Sequence, residues 1–204
     1  IIQEKVTEIP NDTISIIATG PLTASELAVN IRQTFSSELY FYDAIAPIID
    51  ADSIDFDKVF WASRYNKGDG DDYINCPLNE EQYYQFVNDL NSGEKVPHQP
   101  FEEAKYFESC LPIEVMAERG PLTLAHGPLK PVGLVDPQTN KRPFAVIQLR
   151  TENQHKTAFN MVGCQTKLTY SDQKRIFQKI PGLENAEFLR FGQMHRNTYL
   201  NGPQ

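Results

Sequence analysis

Between residues 106 and 134 the chain gathers one thiol (Cys110), two carboxylates (Glu108, Glu114), two cations (Arg119, Lys130) and one imidazole (His126). A thiol ionised by nearby positive charge is a nucleophile, and Arg119 and Lys130 are the cations nearest Cys110 in sequence. Taken alone, a cysteine followed by Leu-Pro-Ile is more often a small buried apolar residue than a nucleophile. Four prolines (112, 121, 128, 131) and three glycines (120, 127, 133) interrupt the stretch, which reads as neither helix nor strand. Yet Leu111, Ile113, Val115, Met116, Leu122, Leu124 and Val132 are too apolar for a solvated linker. The expectation is a packed, irregular wall of a site, held in place by the rest of the chain.

The 204 residues suffice for one large domain, or a domain and part of another, and 40% of them are hydrophobic. No apolar run approaches the ~20 residues of a membrane span. There is no secretory signal, and the chain opens Ile-Ile without a methionine, as expected of an internal piece of a longer protein. Cys76, Cys110 and Cys164 show no CxxC or His/Cys ligand spacing, which argues against a zinc site or disulfide framework and fits a reducing cytoplasm. Asp69-Gly-Asp-Asp-Tyr lacks the alternating ligands and closing glutamate of a calcium loop, so no metal is expected there. The net charge of −8 is uneven: residues 1–100 carry −11 and residues 101–204 carry +3. A polyanion contact therefore belongs to the second half or outside this chain, while a solvated acidic face is the plainer reading of the first.

Several elements must position the central stretch. Residues 13–20, rich in β-branched side chains, read as a buried strand ending at Gly20-Pro21. Thr23 and Glu26 have the spacing of a capping box for an amphipathic helix over 24–36. Residues 39–46 read as a strand, and Asn79 as the cap of a helix over 80–91 that buries Tyr83, Phe86, Val87 and Leu90 and stops at Gly93. Residues 132–150 read as a β-hairpin around the loop 136–142, and 157–162 as a further strand. Ser171 is the expected cap of a helix over 172–179, before a last strand at 187–191. Helices and hairpins mix without a βαβ repeat, which predicts an α+β fold with a mixed, largely antiparallel sheet. No Gly-x-Gly-x-x-Gly or P-loop is present.

Seven strings then resemble one family. They are Ile-Ala-Thr-Gly-Pro-Leu-Thr (17–23), Leu-Tyr-Phe-Tyr-Asp-Ala-Ile-Ala-Pro-Ile (39–48), Ser-Arg-Tyr-Asn-Lys-Gly (63–68), Tyr-Phe-Glu-Ser-Cys-Leu-Pro-Ile-Glu (106–114), Gly-Pro-Leu-Lys-Pro-Val-Gly-Leu (127–134), Pro-Gly-Leu-Glu-Asn-Ala-Glu-Phe (181–188) and His-Arg-Asn-Thr-Tyr (195–199). Across essentially the whole chain they resemble the folate- and FAD-dependent tRNA (uracil-5-)-methyltransferases, the TrmFO or small glucose-inhibited division protein family. The resemblance implies a one-carbon unit taken from methylenetetrahydrofolate, reduced through FAD with NAD(P)H, and placed on C5 of uridine 54 in the tRNA T-loop. Family members open with a Gly-x-Gly-x-x-Gly unit that binds FAD and holds a second cysteine; neither is in this sequence. The implied layout is a strand and turn of the FAD-binding domain (1–22), an insertion domain facing substrate and tRNA (23–190), and a return into the FAD-binding domain (191–204). Alone, such a piece is expected to be colourless and inactive, and its unpaired edges leave room for a homodimer.

The resemblance also assigns roles. The family cysteine with a catalytic role maps onto Cys110, with Ser109 where glycine is common. The backbone of Thr19 and Gly20 corresponds to a second FAD contact. His195 is the expected folate-stacking imidazole, with Arg196 and Asn197 beside it in a cofactor-facing string, and His126 is its rival. Arg64, Lys67, Arg119 and Lys130 are the candidate RNA contacts, against a default of solvated surface charge. Cys76 and Cys164 read as packing residues, His98 and His155 as inert loop residues, and Tyr40, Phe41 and Tyr42 as core. Two other readings remain open: a tRNA-binding module without chemistry, and a GidA-type flavoprotein that modifies the wobble uridine.

Overall fold

The structure, a computed structural model, describes residues 2–20, 23–35, 38–67, 72–96 and 111–200, with side chains for all of these except 38–43, 66 and 195–200. In chain order the elements are α1 (Ser25–Phe35), β1 (Glu38–Ile45), β2 (Ile48–Asp50), β3 (Phe60–Trp61), β4 (Tyr73–Leu78), α2 (Glu80–Ser92), α3 (Ile113–Glu118), α4 (Thr123–His126), β5 (Ala145–Thr151), β6 (Ala158–Val162), α5 (Tyr170–Phe177), β7 (Phe188–Arg190) and β8 (Gln193–Leu200). The fold is α+β. Six strands form one sheet in the order β3-β4-β5-β6-β2-β7, every neighbouring pair antiparallel, while β1 and β8 form a separate two-stranded sheet.

Two compact units divide the chain. Ile1–Asp43, Gln99–Glu108 and His195–Gln204 make one, and Ala44–His98 with Ser109–Met194 the other. The chain thus passes between these units inside β1 and β8, and α1 belongs to the first unit.

In the second unit the period-2 alternation of strands separates two faces. Ile74, Cys76 and Leu78 of β4, Ala145, Ile147 and Leu149 of β5, and Phe159 and Met161 of β6 point to one side. There they meet Tyr83, Phe86, Val87 and Leu90 of α2, Ile113 and Ala117 of α3, Leu124 and Ala125 of α4, and Ile176 and Phe177 of α5. The intervening residues face the other way, where Val146 packs with Phe60 and Leu134. The helix over 80–91 is present as expected: Asn79 accepts from Gln82 N–H at 2.8 Å, the Gln82 amide returns to Asn79 N–H at 2.9 Å, and Gly93 ends it.

Several expectations fail, each for a physical reason. Residues 13–20 form no strand, and Ile14 and Ile16 lie open at 101% and 90% exposure; a strand requires a partner, and none among the described residues pairs with this segment. The Thr23 hydroxyl donates to Gly20 O at 3.1 Å and meets Thr19 Oγ1 at 2.7 Å, while Glu26 pairs with Lys5 at 2.5 Å, in place of a capping box. Residues 132–135 are not a hairpin arm: only Asp136 and Lys141 bridge, and β5 pairs with β4 and β6. The cap of α5 is Thr169, which accepts from Asp172 N–H at 3.4 Å, rather than Ser171. The 106–134 stretch is not wholly irregular either, because Pro112 stands at the N-cap of α3, a helix start that proline tolerates.

Candidate functional site

The wall that follows Cys110 is fixed at its first residues. Cys110 itself lies outside the described residues, but Leu111, Pro112, Ile113 and Glu114 are all buried. Ile113 N–H donates to Gln165 O at 2.7 Å. Glu114, fully buried in the first turn of α3, accepts from Lys167 N–H at 2.7 Å and from the Thr166 hydroxyl at 2.9 Å. Burial raises the pKa of its carboxyl, against the lowering effect of those donors. The 111–114 segment is therefore clamped to the connection between β6 and α5 by three hydrogen bonds. Farther along, Tyr83 holds the α3–α4 turn from α2: its hydroxyl donates to Pro121 O at 2.9 Å and accepts from Ala125 N–H at 3.1 Å.

An open cleft of about 430 Å³ lies on the outer side of this wall, lined among others by Tyr84, His126, Pro131, Arg142, Phe144 and Glu80. Its floor is aromatic: Phe144 tilts against Tyr83 and Tyr84 at ring separations of 5.2 and 5.8 Å. That size is within the range of small-ligand clefts, with polar groups of both charges at hand. His126 is exposed here.

The second face of the sheet joins two of the strings singled out in sequence. Asn75 and Gln148 are cross-strand partners, and Gln148 Nε2 donates to Asn75 Oδ1 at 2.9 Å. Arg64 turns inward onto this pair, donating from Nε to Gln148 Oε1 at 2.9 Å, and its Nη1 is buried with no hydrogen-bond partner among the described residues. Burial lowers the pKa of this guanidinium. Next to it Tyr65 has a left-handed backbone (φ 60, ψ 25), which for a bulky L residue costs on the order of 1 kcal/mol. Its N–H donates to Gly133 O at 3.2 Å. Gly133 permits the approach: its own φ is +79, and a Cβ there would stand 2.9 Å from Tyr65 N.

The structure thus brings the segment holding Arg64 and Lys67 to the turn entered by Lys130; Lys67 and Lys130 are exposed, whereas Arg64 is an anchor. Arg119 is on another element, at the C-cap of α3. Tyr65, which sequence reasoning passed over, is 61% exposed; an aromatic flanked in sequence by Arg64 and Lys67 was the available signal. In the other unit the Thr19–Gly20 backbone is exposed, with Gly20 at φ +69 and nothing within 4 Å of its would-be Cβ. The side chains of His195, Arg196 and Asn197 lie outside the described residues, as do His98 and the side chains of Tyr40, Phe41 and Tyr42. Cys76 and Cys164 are fully buried; burial raises the first thiol well above its ordinary value and pushes the second up to about 12. Among the described residues no cluster of metal-ligating side chains occurs, and no helix is long and apolar enough to cross a membrane.

The whole chain, residues 1–204, matches the family model described as glucose inhibited division protein A. It is 59% identical over 203 residues to the methylenetetrahydrofolate–tRNA-(uracil-5-)-methyltransferase TrmFO of Geobacter sulfurreducens, covering 100% of this chain and 47% of the relative. It is 60% identical over 204 residues to the TrmFO of Citrifermentans bemidjiense, again covering 100% and 47%. The chain spans about half the length of these curated relatives. A crystal structure of Aquifex aeolicus GidA shares the fold, with a TM-score of 0.53 and 13% identity over 86% of this chain and 27% of that one.

Proposed function

The chain belongs to the glucose-inhibited division protein A family, and from that premise we propose that it is the thiol-bearing part of a cytoplasmic, folate- and flavin-dependent tRNA methyltransferase of the TrmFO kind. The product would be 5-methyluridine in the T-loop. Uracil C5 is a weak nucleophile until a thiolate adds to C6. In the proposed cycle Cys110 Sγ bonds to C6, the displaced π electrons form an enolate, and C5 attacks the one-carbon unit, whose bond to the folate nitrogen breaks with its electron pair returning to that nitrogen. Loss of the C5 proton then expels the thiolate and restores the ring. The observation that carries the reading is the clamp on residues 111–114, which fixes the chain immediately after Cys110 as a positioned nucleophile requires.

When bound, FAD would relay reducing equivalents from NAD(P)H to the one-carbon unit of methylenetetrahydrofolate. The exposed Thr19–Gly20 backbone, open where a Cβ would stand, fits an edge contact with such a cofactor but supplies no phosphate-binding glycine loop. His195, with Arg196 and Asn197, is the proposed folate-facing group. Lys67, Lys130 and Arg119 are proposed phosphate contacts, with Arg64 supporting the first of them from within.

The test is Cys110→Ala in the full-length parent. Methyl transfer to a T-arm RNA should fall at least about a thousandfold, with FAD content unchanged. Near-normal turnover would remove Cys110 from the mechanism.

A further inference from the structure

We propose that Tyr65 is a stacking platform for an unpaired base of the RNA partner, with Lys67 and Lys130 placed to take the flanking phosphates; this rests on the tRNA reading above. Tyr65 combines two properties that seldom coincide. Its side chain is 61% exposed, and its backbone is held in the left-handed region at φ 60. A tyrosine exposed to that degree adds little to a core, and a glycine or asparagine would adopt the same backbone with less strain. Strain retained at an exposed aromatic points to a use for the ring.

The platform is built from three directions. Arg64 is sunk into the sheet on Gln148, Tyr65 N–H is tied to Gly133 O, and Lys67 N–H closes onto Arg64 O at 3.3 Å. The ring lies against Gly133, where a Cβ would come 3.0 Å from Cδ1, and no other ring stacks on it among the described residues. Two exposed cations accompany the ring along the chain: Lys67 follows Tyr65 by two residues and Lys130 precedes Gly133 by three. Asp72 keeps its charge while accepting from the Ser63 hydroxyl at 2.6 Å, and Asp69 and Asp71 also follow Lys67, so the exposed ring rather than net charge carries the choice of a base. A π-face with cations on its own segments suits a stacked base and its phosphates, and such stacking tolerates any base.

The experiment measures affinity of the full-length parent for a T-arm stem–loop RNA across a salt series, together with its melting temperature. Tyr65→Ala should weaken binding by about five- to a hundredfold without lowering the melting temperature. Tyr65→Phe should recover most of the affinity. Tyr65→Asn should raise the melting temperature while affinity falls, a split that a structural role would not give. Lys67→Ala and Lys130→Ala should each reduce the salt slope by about one. If Tyr65→Ala binds RNA like the parent, or affects only self-association, the platform is wrong and the tRNA reading survives. Loss of affinity that tracks loss of stability, unrescued by phenylalanine, overturns it equally. A parent with no affinity for the RNA removes the tRNA reading and this inference together.

Discussion

Glu114 is a carboxylate with no exposed surface, four residues after the proposed nucleophile. Its folded-state pKa is raised above the unfolded value of about 4.3, so between the two the native state binds the extra proton. Stability from this group is present below the unfolded pKa and is lost as pH rises through the folded one. Glu114→Gln can still accept from Lys167 N–H and donate to the Thr166 hydroxyl. The melting temperature of the glutamine variant relative to wild type should therefore rise with pH across that window; parallel curves would contradict the assignment. Glu114→Ala strands both donors and opens a cavity, and denaturant titration should show a loss of about 2–4 kcal/mol. At the same scale, Cys76 and Cys164 are buried with raised pKa values and should resist iodoacetamide at pH 8 until the chain unfolds. Mass spectrometry that finds either alkylated in native protein would show that these thiols open to solvent.

Among elements, α2 bears the most. It carries its own capping box, buries one face, and reaches across through Tyr83 to hold α4. Asn79→Ala should cost about 1 kcal/mol, and Tyr83→Phe, which strands Pro121 O and Ala125 N–H, about 1–2 kcal/mol, each read from chemical denaturation. A neutral Tyr83→Phe would mean that the turn holds without the phenol. The helix could be read from sequence because cap, apolar spacing and stop all lie within fifteen residues. The interior strand β4, next to the edge strand β3, could not, because Asn75, Cys76 and Pro77 argue against a strand locally. Its pairing explains them. Val146 sends its N–H away from β4 to Leu129 O at 2.9 Å, so Pro77 opposite it needs no ladder donor. Asn75 is satisfied across the sheet by Gln148 and by donating to Ala62 O at 2.9 Å.

At the scale of the molecule, the second unit holds the whole six-stranded sheet and its covering helices, so it should fold without the first. A polypeptide of residues 44–194 is expected to melt cooperatively with the near-ultraviolet dichroism of the larger chain; a broad, non-cooperative transition would show that the unit depends on the remainder. The sequence by itself determined the family, through long strings such as 106–114, and the class of fold, through caps and apolar spacing that act within one or two turns of chain. It also marked out the stretch that leads from Cys110. Only tertiary structure decided that Arg64 points inward, that Tyr65 is held left-handed against Gly133, and that residues 13–17 pair with no strand among the described residues. Those outcomes depend on groups far apart in sequence, some separated by more than sixty residues, whose mutual energies exist only after the loops between them have closed. Propensity acts before closure, whereas pairing and burial act after it.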